Sequence, residues 1–251
     1  MRYALMGDVH ANPSALKKAI EDARDCGVER MICLGDISGY GWDAKAALEL
    51  VRHSMDVTLI GNHDAALLGM GDSHVISSNP NLAVDVLQRE QLSDEDKKWL
   101  RSRPYTHAIE EHSVACTHGD FLMPEQFAYV DSPYAVGVEF SVRKERVLFC
   151  AHTHEPGIWT LSGGKRISSV AYDRGEVHLK PRNRYLVNVG SVGYPRRTFK
   201  SQYVIYDTEG DTVEFRSLPY DWNEFILELQ AKRFPLPEWI VDVLSSRMDR
   251  R

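Results

Sequence analysis

The sequence predicts an α/β protein in which two packed β-sheets are flanked by helices. A strand–loop–helix pattern recurs in residues 1–60, and it is typical of parallel strands joined by right-handed crossovers. Short strands and hairpins follow after residue 105, which indicates antiparallel pairing in the second half. Five of the apolar strands end in Asp, Asn or His. Because open α/β sheets place ligands at the carboxyl ends of strands, these endings predict one shared site.

The elements of the first half are predicted from apolar runs and helix signals. Asn12 is a suitable N-cap and Pro13 a suitable first residue for a helix that ends at Gly27. A second helix is predicted over residues 44–53. The five strands followed by polar loops are residues 3–6, 31–34, 57–60, 113–117 and 147–151.

Residues 65–104 carry helical signals and no strand pattern. Helices are predicted over 81–90 and 93–102, and Ser93 with Asp96 forms a capping-box pattern at the start of the second. We interpret 65–104 as a helical insertion that roofs one side of the site. A solvated pair of surface helices is the alternative interpretation.

The remaining residues predict further strands and a helical tail. The first predicted hairpin pairs 106–109 with 113–117, and the second pairs 158–161 with 167–171. Single strands are predicted over 185–189, 203–206 and 213–218. Residues 219–251 form the tail, with Trp222 and Phe225 on one helical face. All of residues 1–251 are expected to form a single domain.

Composition limits the classes of partner and compartment. The net charge of −6 over 251 residues disfavours broad binding to nucleic acid or to an anionic membrane. No apolar run approaches the roughly 20 residues of a membrane helix, and no signal-peptide pattern precedes the first strand. Three of the four cysteines fall in predicted core strands, which is typical of buried thiols in a reducing compartment. We therefore expect a cytoplasmic protein, and no oligomeric state is indicated.

The polar loops supply a set of metal ligands. Seven side chains offer oxygen or imidazole donors, namely Asp8, His10, Asp36, Asn62, His118, His152 and His154. Seven donors are too many for a tetrahedral zinc site, and they are enough for two adjacent ions if one carboxylate bridges. Mixed oxygen and nitrogen donors suit Mn²⁺, Fe, Zn²⁺, Ni²⁺ or Co²⁺ better than Ca²⁺ or Mg²⁺. Two such ions activate a water and hold phosphoryl oxygens, so the pattern predicts phosphoryl chemistry.

His63 is predicted to be a general acid. It follows Asn62 in Gly61-Asn62-His63-Asp64, where it could protonate the oxygen of the leaving group. Asp64 could hold the tautomer of this imidazole, so both residues are candidates for catalysis. An ordinary turn with a helix cap is the alternative interpretation of this tetrad.

The order of these motifs resembles the calcineurin-like binuclear metallophosphoesterases. It also resembles their smaller bacterial and archaeal branch of phosphodiesterase and diadenosine-tetraphosphatase-like proteins, through residues 35–41 and 190–196. The resemblance implies a four-layer α/β/β/α sandwich. It also implies two metal sets that share Asp36 as a bridge: Asp8, His10, Asp36 and His154 for one ion, and Asp36, Asn62, His118 and His152 for the other.

The sequence departs from the family at three places. Gly39 stands where many relatives have a second Asp, so the metal site needs other support. Ala151 replaces the Gly that usually precedes His-x-His, and we expect this change to be tolerated. No Arg adjoins the central tetrad, which weakens an assignment as a protein phosphatase. Arg196 and Arg197 are instead candidates to bind phosphate, with surface charge as the alternative.

The resulting expectation is a hydrolase of small phosphate esters. A phosphodiesterase with two divalent ions is expected first, and Mn²⁺ is the expected metal. Asn62 and Arg196 are the expected substrate-binding residues. The alternatives are a phosphomonoesterase or protein phosphatase, a dinucleoside-polyphosphate hydrolase and a non-catalytic metal-binding scaffold. The scaffold predicts eroded ligands, whereas all seven ligands and His63 are present.

Overall fold

The computed structural model describes residues 1–70, 82–196 and 199–235. The strands within these ranges are β1 (Arg2–Met6), β2 (Arg30–Cys33), β3 (Val57–Thr58), β4 (Thr106–Ile109), β5 (Val114–Thr117), β6 (Val147–Cys150), β7 (Gly157–Ser162), β8 (Arg166–Ala171), β9 (Gly175–His178), β10 (Arg184–Asn188), β11 (Lys200–Asp207) and β12 (Thr212–Pro219). The helices are α1 (Pro13–Asp25), α2 (Ala44–Ser54), α3 (Asn62–Leu67), α4 (Leu82–Gln91), α5 (Asp94–Arg101), α6 (Pro133–Val142) and α7 (Trp222–Ala231).

Two six-stranded mixed sheets form the centre of the fold. The first has the order β3-β2-β1-β11-β12-β9, and the second has the order β4-β5-β6-β10-β7-β8. Strands β1, β2 and β3 are parallel, as are β5, β6 and β10, whereas the other pairings are antiparallel. The parallel strands therefore end at one edge of each sheet. Parallel pairing was predicted for the first half, whereas the parallel pairing of β5, β6 and β10 differs from the antiparallel pairing predicted for the second half.

Side chains alternate across the sheets and create four layers. Ala4 and Met6 of β1 pack with the apolar faces of α1 and α2, while Tyr3 and Leu5 pack with the second sheet. On the far side of the second sheet, residues of β6 and β10 pack against α6. The predicted α/β/β/α sandwich is therefore confirmed.

Local signals explain where two helices begin. The Asn12 side chain accepts a hydrogen bond from the Ala15 amide at 3.1 Å, and Pro13 opens α1 as predicted. Ser93 and Asp96 form the predicted capping box of α5. Three elements were not predicted, namely α3, α6 and β9. Helix α6 is apolar around its circumference, so it lacks the one-sided pattern from which a surface helix is recognised.

The predicted insertion and tail pack on each other within the described residues. Trp222, Phe225 and Leu229 of α7 form an apolar cluster with Val84 of α4. Residues 71–81 of the insertion, 236–251 of the tail, and Arg197 lie outside the described residues. In the described ranges, no helix is both long enough and apolar enough to cross a bilayer. The four cysteines are unpaired, and Cys33, Cys116 and Cys150 are buried as predicted.

Candidate metal centre

The loops that follow β1, β2, β3, β5 and β6 bring all seven predicted ligands to one place. Among the residues that the structure describes, three groups of Asp and His side chains each have ligand atoms within 4.8 Å of one another. The groups are Asp8 with His10 and His154, Asp36 with His118 and His152, and His10 with Asp36 and His63. The first two groups lie within the two metal sets that the resemblance implies. The third group places His63 beside the ligands.

Backbone carbonyls set the tautomers of three of the histidines. Each carbonyl lies within hydrogen-bond distance of an Nδ1 atom: Ser38 to His10 at 3.0 Å, Leu34 to His118 at 2.9 Å, and Tyr194 to His154 at 2.6 Å. A carbonyl oxygen only accepts, so each Nδ1 carries a proton. In a neutral imidazole the Nε2 atom then offers its lone pair, which is how a metal-binding imidazole is oriented.

The atoms that converge inside the site are mostly acceptors. The Nε2 atoms of His10 and His154 lie 3.1 Å apart, and the His154 Nε2 lies 3.4 Å from the Asp8 Oδ1. Asp8 Oδ1 and Asp36 Oδ2 are buried and have no hydrogen-bond partner among the described residues. Buried lone pairs that face each other repel unless a cation lies between them. The donor set therefore fits divalent cations.

Electrostatics within the site supports the same conclusion. Burial raises the pKa of the Asp8 carboxyl to about 8. Burial, followed by the neighbouring His154, holds the pKa of His10 well below its ordinary value, so this imidazole is neutral. Burial alone would lower the pKa of His118, but the Asp36 carboxylate has the larger combined effect and raises this pKa to about 9. His118 therefore carries a second proton, whose positive charge offsets the charge of the Asp36 carboxylate. A cation bound there would take the place of this proton.

Most of the predicted ligands have a left-handed backbone. The φ angle is 53° at Asp8, 49° at His10, 54° at Asp36, 66° at His152 and 59° at His154. Such a conformation costs a non-glycine residue about 1–2 kcal/mol. Hydrogen bonds between the loops hold this geometry, including those from the Asp8 amide to the Gly35 carbonyl and from the His10 amide to the Asp36 carbonyl.

Asp36 lies between the two metal sets. Its Oδ2 is 3.4 Å from His118 Nε2 and 3.8 Å from His10 Nε2. Its Oδ1 accepts a hydrogen bond from the His63 amide at 2.8 Å. Asn62 Oδ1 lies 3.0 Å from His118 Nε2, on the side of the second set. The bridging role of Asp36 is a prediction that these distances permit.

The expected contact between Asp64 and His63 is not formed, so this prediction was wrong. Within the described chain, His63 Nδ1 is buried without a hydrogen-bond partner. The Asp64 carboxylate instead accepts from Ser38 through its amide and hydroxyl, and from the amides of Ile37 and Gly61. Both residues lie in α3, where consecutive side chains do not face each other. Asp64 therefore joins two ligand loops and does not orient the imidazole.

Two glutamines of α4, which no pattern in the sequence singles out, bind the loop that begins at Gly39. Gln88 accepts from the Gly39 amide at 2.7 Å and donates to the Gly41 carbonyl at 2.6 Å. Gln91, one turn later, makes the same pair of bonds with Ala44 and Trp42. This contact favours the roof over the solvated helix pair. The glutamines also hold the loop at Gly39 in place, where glycine has no side chain that could do so.

Gly39 lies directly against the predicted general acid. A Cβ atom at this position would lie 2.6 Å from His63 Nδ1 and 3.0 Å from His10 Nδ1. The Asp that many relatives carry here does not fit this arrangement. The next residue, Tyr40, stacks on Tyr194 with ring centres 4.0 Å apart and closes this side of the site.

The segment 190–196 supports the first ligand loop. Ser191 Oγ and the Gly193 amide both donate to the Asp8 carbonyl, each at 2.9 Å. A Cβ atom at Gly193 would lie 1.8 Å from the Val9 carbonyl oxygen, so only glycine fits. Arg196 follows, and its guanidinium lies near the Tyr129 hydroxyl. Residues 190–196 thus hold the loop that follows β1 in place, and Arg196 within them remains the predicted phosphate contact.

Metal removal should lower thermal stability, because an ion that binds only the folded chain stabilises it. A hundredfold excess of Mn²⁺ over Kd corresponds to about 2.7 kcal/mol, so we expect the Tm to rise by about 5 °C or more over the chelated protein. Melting curves with EDTA and with Mn²⁺ measure this difference. Ca²⁺ is the control, since imidazole donors suit it poorly. Equal Tm values with Mn²⁺ and EDTA would contradict a metal centre.

Comparisons with known proteins agree with this geometry. A family model described as the calcineurin-like phosphoesterase superfamily domain matches residues 1–211. An uncharacterised protein of Methanocaldococcus jannaschii is 28% identical, with 94% of each chain covered. The crystal structure of a metallophosphoesterase from Sphaerobacter thermophilus has a TM-score of 0.81 and 27% identity, covering 94% of this chain and 95% of that one.

A hypothetical protein from Pyrococcus horikoshii shares the fold, with a TM-score of 0.71, 19% identity and 97% of each chain covered. The family match covers well over half of the sequence, and the clustered Asp and His side chains lie inside the matched residues. The chain therefore belongs to the calcineurin-like phosphoesterase superfamily and is a phosphoester hydrolase.

Proposed function

We propose that the protein hydrolyses phosphodiesters at a centre that holds two divalent ions, with Mn²⁺ as the expected metal. The observation that carries this proposal is the convergence of Asp8 Oδ1 and Asp36 Oδ2, which are buried without a hydrogen-bond partner among the described residues, on the Nε2 atoms of the histidines. When bound, the ions would supply an activated water and neutralise charge on the phosphoryl oxygens. The two ligand sets are those implied by the family resemblance, with Asp36 shared.

The other side chains position the substrate and protonate its product. Burial lowers the pKa of His152 and His154, and the positive charge of nearby Arg196 lowers the pKa of both further. Arg196 would bind a phosphoryl oxygen. Asn62 is available beside His118 for the same purpose. His63 is buried against Gly39 and would give its proton to the departing oxygen.

An open cavity beside Arg196 favours diesters over monoesters. The cavity has a volume of about 490 Å³ and includes Tyr129, Thr153 and Arg196 in its wall. A diester carries a second organic group that can occupy this space, whereas a monoester bound at the ions would leave it unused. A dinucleoside polyphosphate would instead place further negative charge there.

A substrate panel tests the proposed function. With Mn²⁺ present, we expect kcat/KM for bis(p-nitrophenyl) phosphate to exceed that for p-nitrophenyl phosphate by about tenfold or more, a difference of about 1.4 kcal/mol. Cyclic nucleotides and diadenosine tetraphosphate complete the panel, and EDTA-treated protein is the control. A higher kcat/KM for the monoester or for the polyphosphate would contradict the diesterase assignment.

A further inference from the structure

The cavity beside the metal centre is large enough for a small organic group. Its volume of about 490 Å³ falls within the range of ligand sites in proteins. It lies at the carboxyl end of β10, beside the start of β7 and the end of the edge strand β8. Its wall is made by residues 129–131, 153, 155–159, 169–173, 188, 196 and 202.

The cavity and the metal centre share a wall. The Tyr129 ring stacks on His152 with centres 4.2 Å apart and an angle of 12° between planes. Thr153, between two predicted ligands in sequence, also lines the cavity. Arg196 lines it too, lies near Tyr129 and acts electrostatically on Asp8. A phosphoryl group at the ions would therefore meet Arg196 while its attached ester group entered the cavity.

The position of His63 indicates which ester group this is. The His63 ring lies 5.0 Å from His10 and 4.8 Å from Tyr40, next to Gly39. None of these four residues lines the cavity. A general acid contacts the oxygen that departs, so the leaving group lies toward His63. The cavity is then left for the group that stays on phosphorus.

The lining chemistry suits an uncharged, planar group. Trp159 and Tyr172 contribute aromatic side chains to the wall. Two polar side chains of the wall already have partners: Asn188 donates to the Ala151 carbonyl and accepts from the Gly190 amide, and Gln202 donates to the Asp173 carboxylate. The aromatic side chains therefore supply the surface on which a planar ring can stack.

The charges of the lining disfavour a second phosphate. Asp131, Glu155 and Asp173 are acidic, whereas Arg196 is the one basic side chain among the described lining residues. Asp173 is partly neutralised by Lys200 at 3.1 Å, which lies outside the wall. An anionic chain entering past Arg196 would meet carboxylates.

We propose that this cavity binds the retained ester group of the diester, and that this group is an uncharged planar ring such as that of a nucleoside. The proposal rests on the proposed function and narrows it to nucleoside-type monophosphate diesters.

Two diesters with one leaving group test the proposal. Thymidine 5′-(p-nitrophenyl phosphate) and methyl p-nitrophenyl phosphate both release p-nitrophenolate and differ in the retained group. The test variant is Ser169→Trp, which fills the cavity from an exposed position paired with Trp159 in β7. The matched control is Ser168→Trp, because Ser168 is an exposed neighbour in β8 that is not part of the wall.

For Ser169→Trp we expect kcat/KM for the thymidine ester to fall by about tenfold or more. Burial of a ring in a site raises affinity by about tenfold to a hundredfold, and the variant loses this contribution. The methyl ester should change less than twofold, and Ser168→Trp should change neither. Thymidine 5′-monophosphate should also inhibit Ser169→Trp about tenfold more weakly than wild type. Should Ser169→Trp fail to fold, Trp159→Ala is expected to show the same selective loss.

Equal losses for both esters, or a wild type that does not prefer the thymidine ester, would overturn the proposal while leaving the diesterase function intact. If the wild type hydrolysed neither ester, the proposed function and this inference would both be overturned.

Discussion

Replacing Asp36 with Asn is expected to abolish hydrolysis and to remove both metal ions. Asp36 belongs to two of the three groups of potential ligands and has a buried Oδ2 without a hydrogen-bond partner among the described residues. An amide lowers the negative charge shared by the two sets and can turn an N–H donor toward neighbouring acceptors. We expect kcat to fall by about 10³-fold or more.

Metal content distinguishes this role from a structural one. Elemental analysis of Asp36→Asn should show less than one equivalent of Mn²⁺ per chain, against two in wild type. Asp120→Asn is a matched control, because Asp120 is a buried carboxylate in a neighbouring ligand loop that accepts from the Met123 and Ala128 amides. Retention of two full equivalents by Asp36→Asn would refute the bridging assignment.

Replacing His63 with Ala is expected to slow esters according to how poorly their leaving groups depart. An alkoxide of high pKa departs slowly unless it is protonated, and general acid catalysis typically contributes about 10²–10⁴-fold. p-Nitrophenolate departs without help. Therefore kcat/KM for nucleoside or alkyl leaving groups should fall by about 10²-fold or more, while p-nitrophenyl esters change much less.

The measurement is kcat/KM for diesters graded by leaving-group pKa, in both proteins, together with metal content. His63 also lies within reach of His10 and Asp36 as a potential ligand, so metal content separates the two roles. A uniform loss across the series, or the loss of one equivalent of metal, would show that His63 is a ligand or positions phosphate. Exposed His178→Ala is the control and should match wild type.

The sequence predicted the site correctly where polar side chains directly follow an apolar strand. Buried apolar runs predicted the strands, and the carboxyl ends of β1 and β2 in one sheet lie near that of β5 in the other, which is why Asp8, Asp36 and His118 meet. The predicted contact between Asp64 and His63 failed because adjacency in sequence was read as adjacency in space, and the short helix α3 separates the two side chains.

The supporting contacts were beyond prediction, because their partners lie far apart in the chain. The carbonyls that orient His10 and His118 come from Ser38 and Leu34, separated by 28 and 84 positions. Gln88 contacts Gly39 across 49 positions, and nothing local distinguishes it from any helix glutamine. Such pairs are defined by tertiary packing and carry no periodic signal.

The left-handed backbone at five of the predicted ligands makes the site a local cost to the folded chain. Glycine at each of these positions would relieve the strain, so these Asp and His side chains lower stability where they stand. A fold that served only as a scaffold would have no use for strained, buried polar side chains at five positions in neighbouring loops. The strain is therefore the thermodynamic counterpart of the chemistry that the loops present, and it argues against the scaffold alternative.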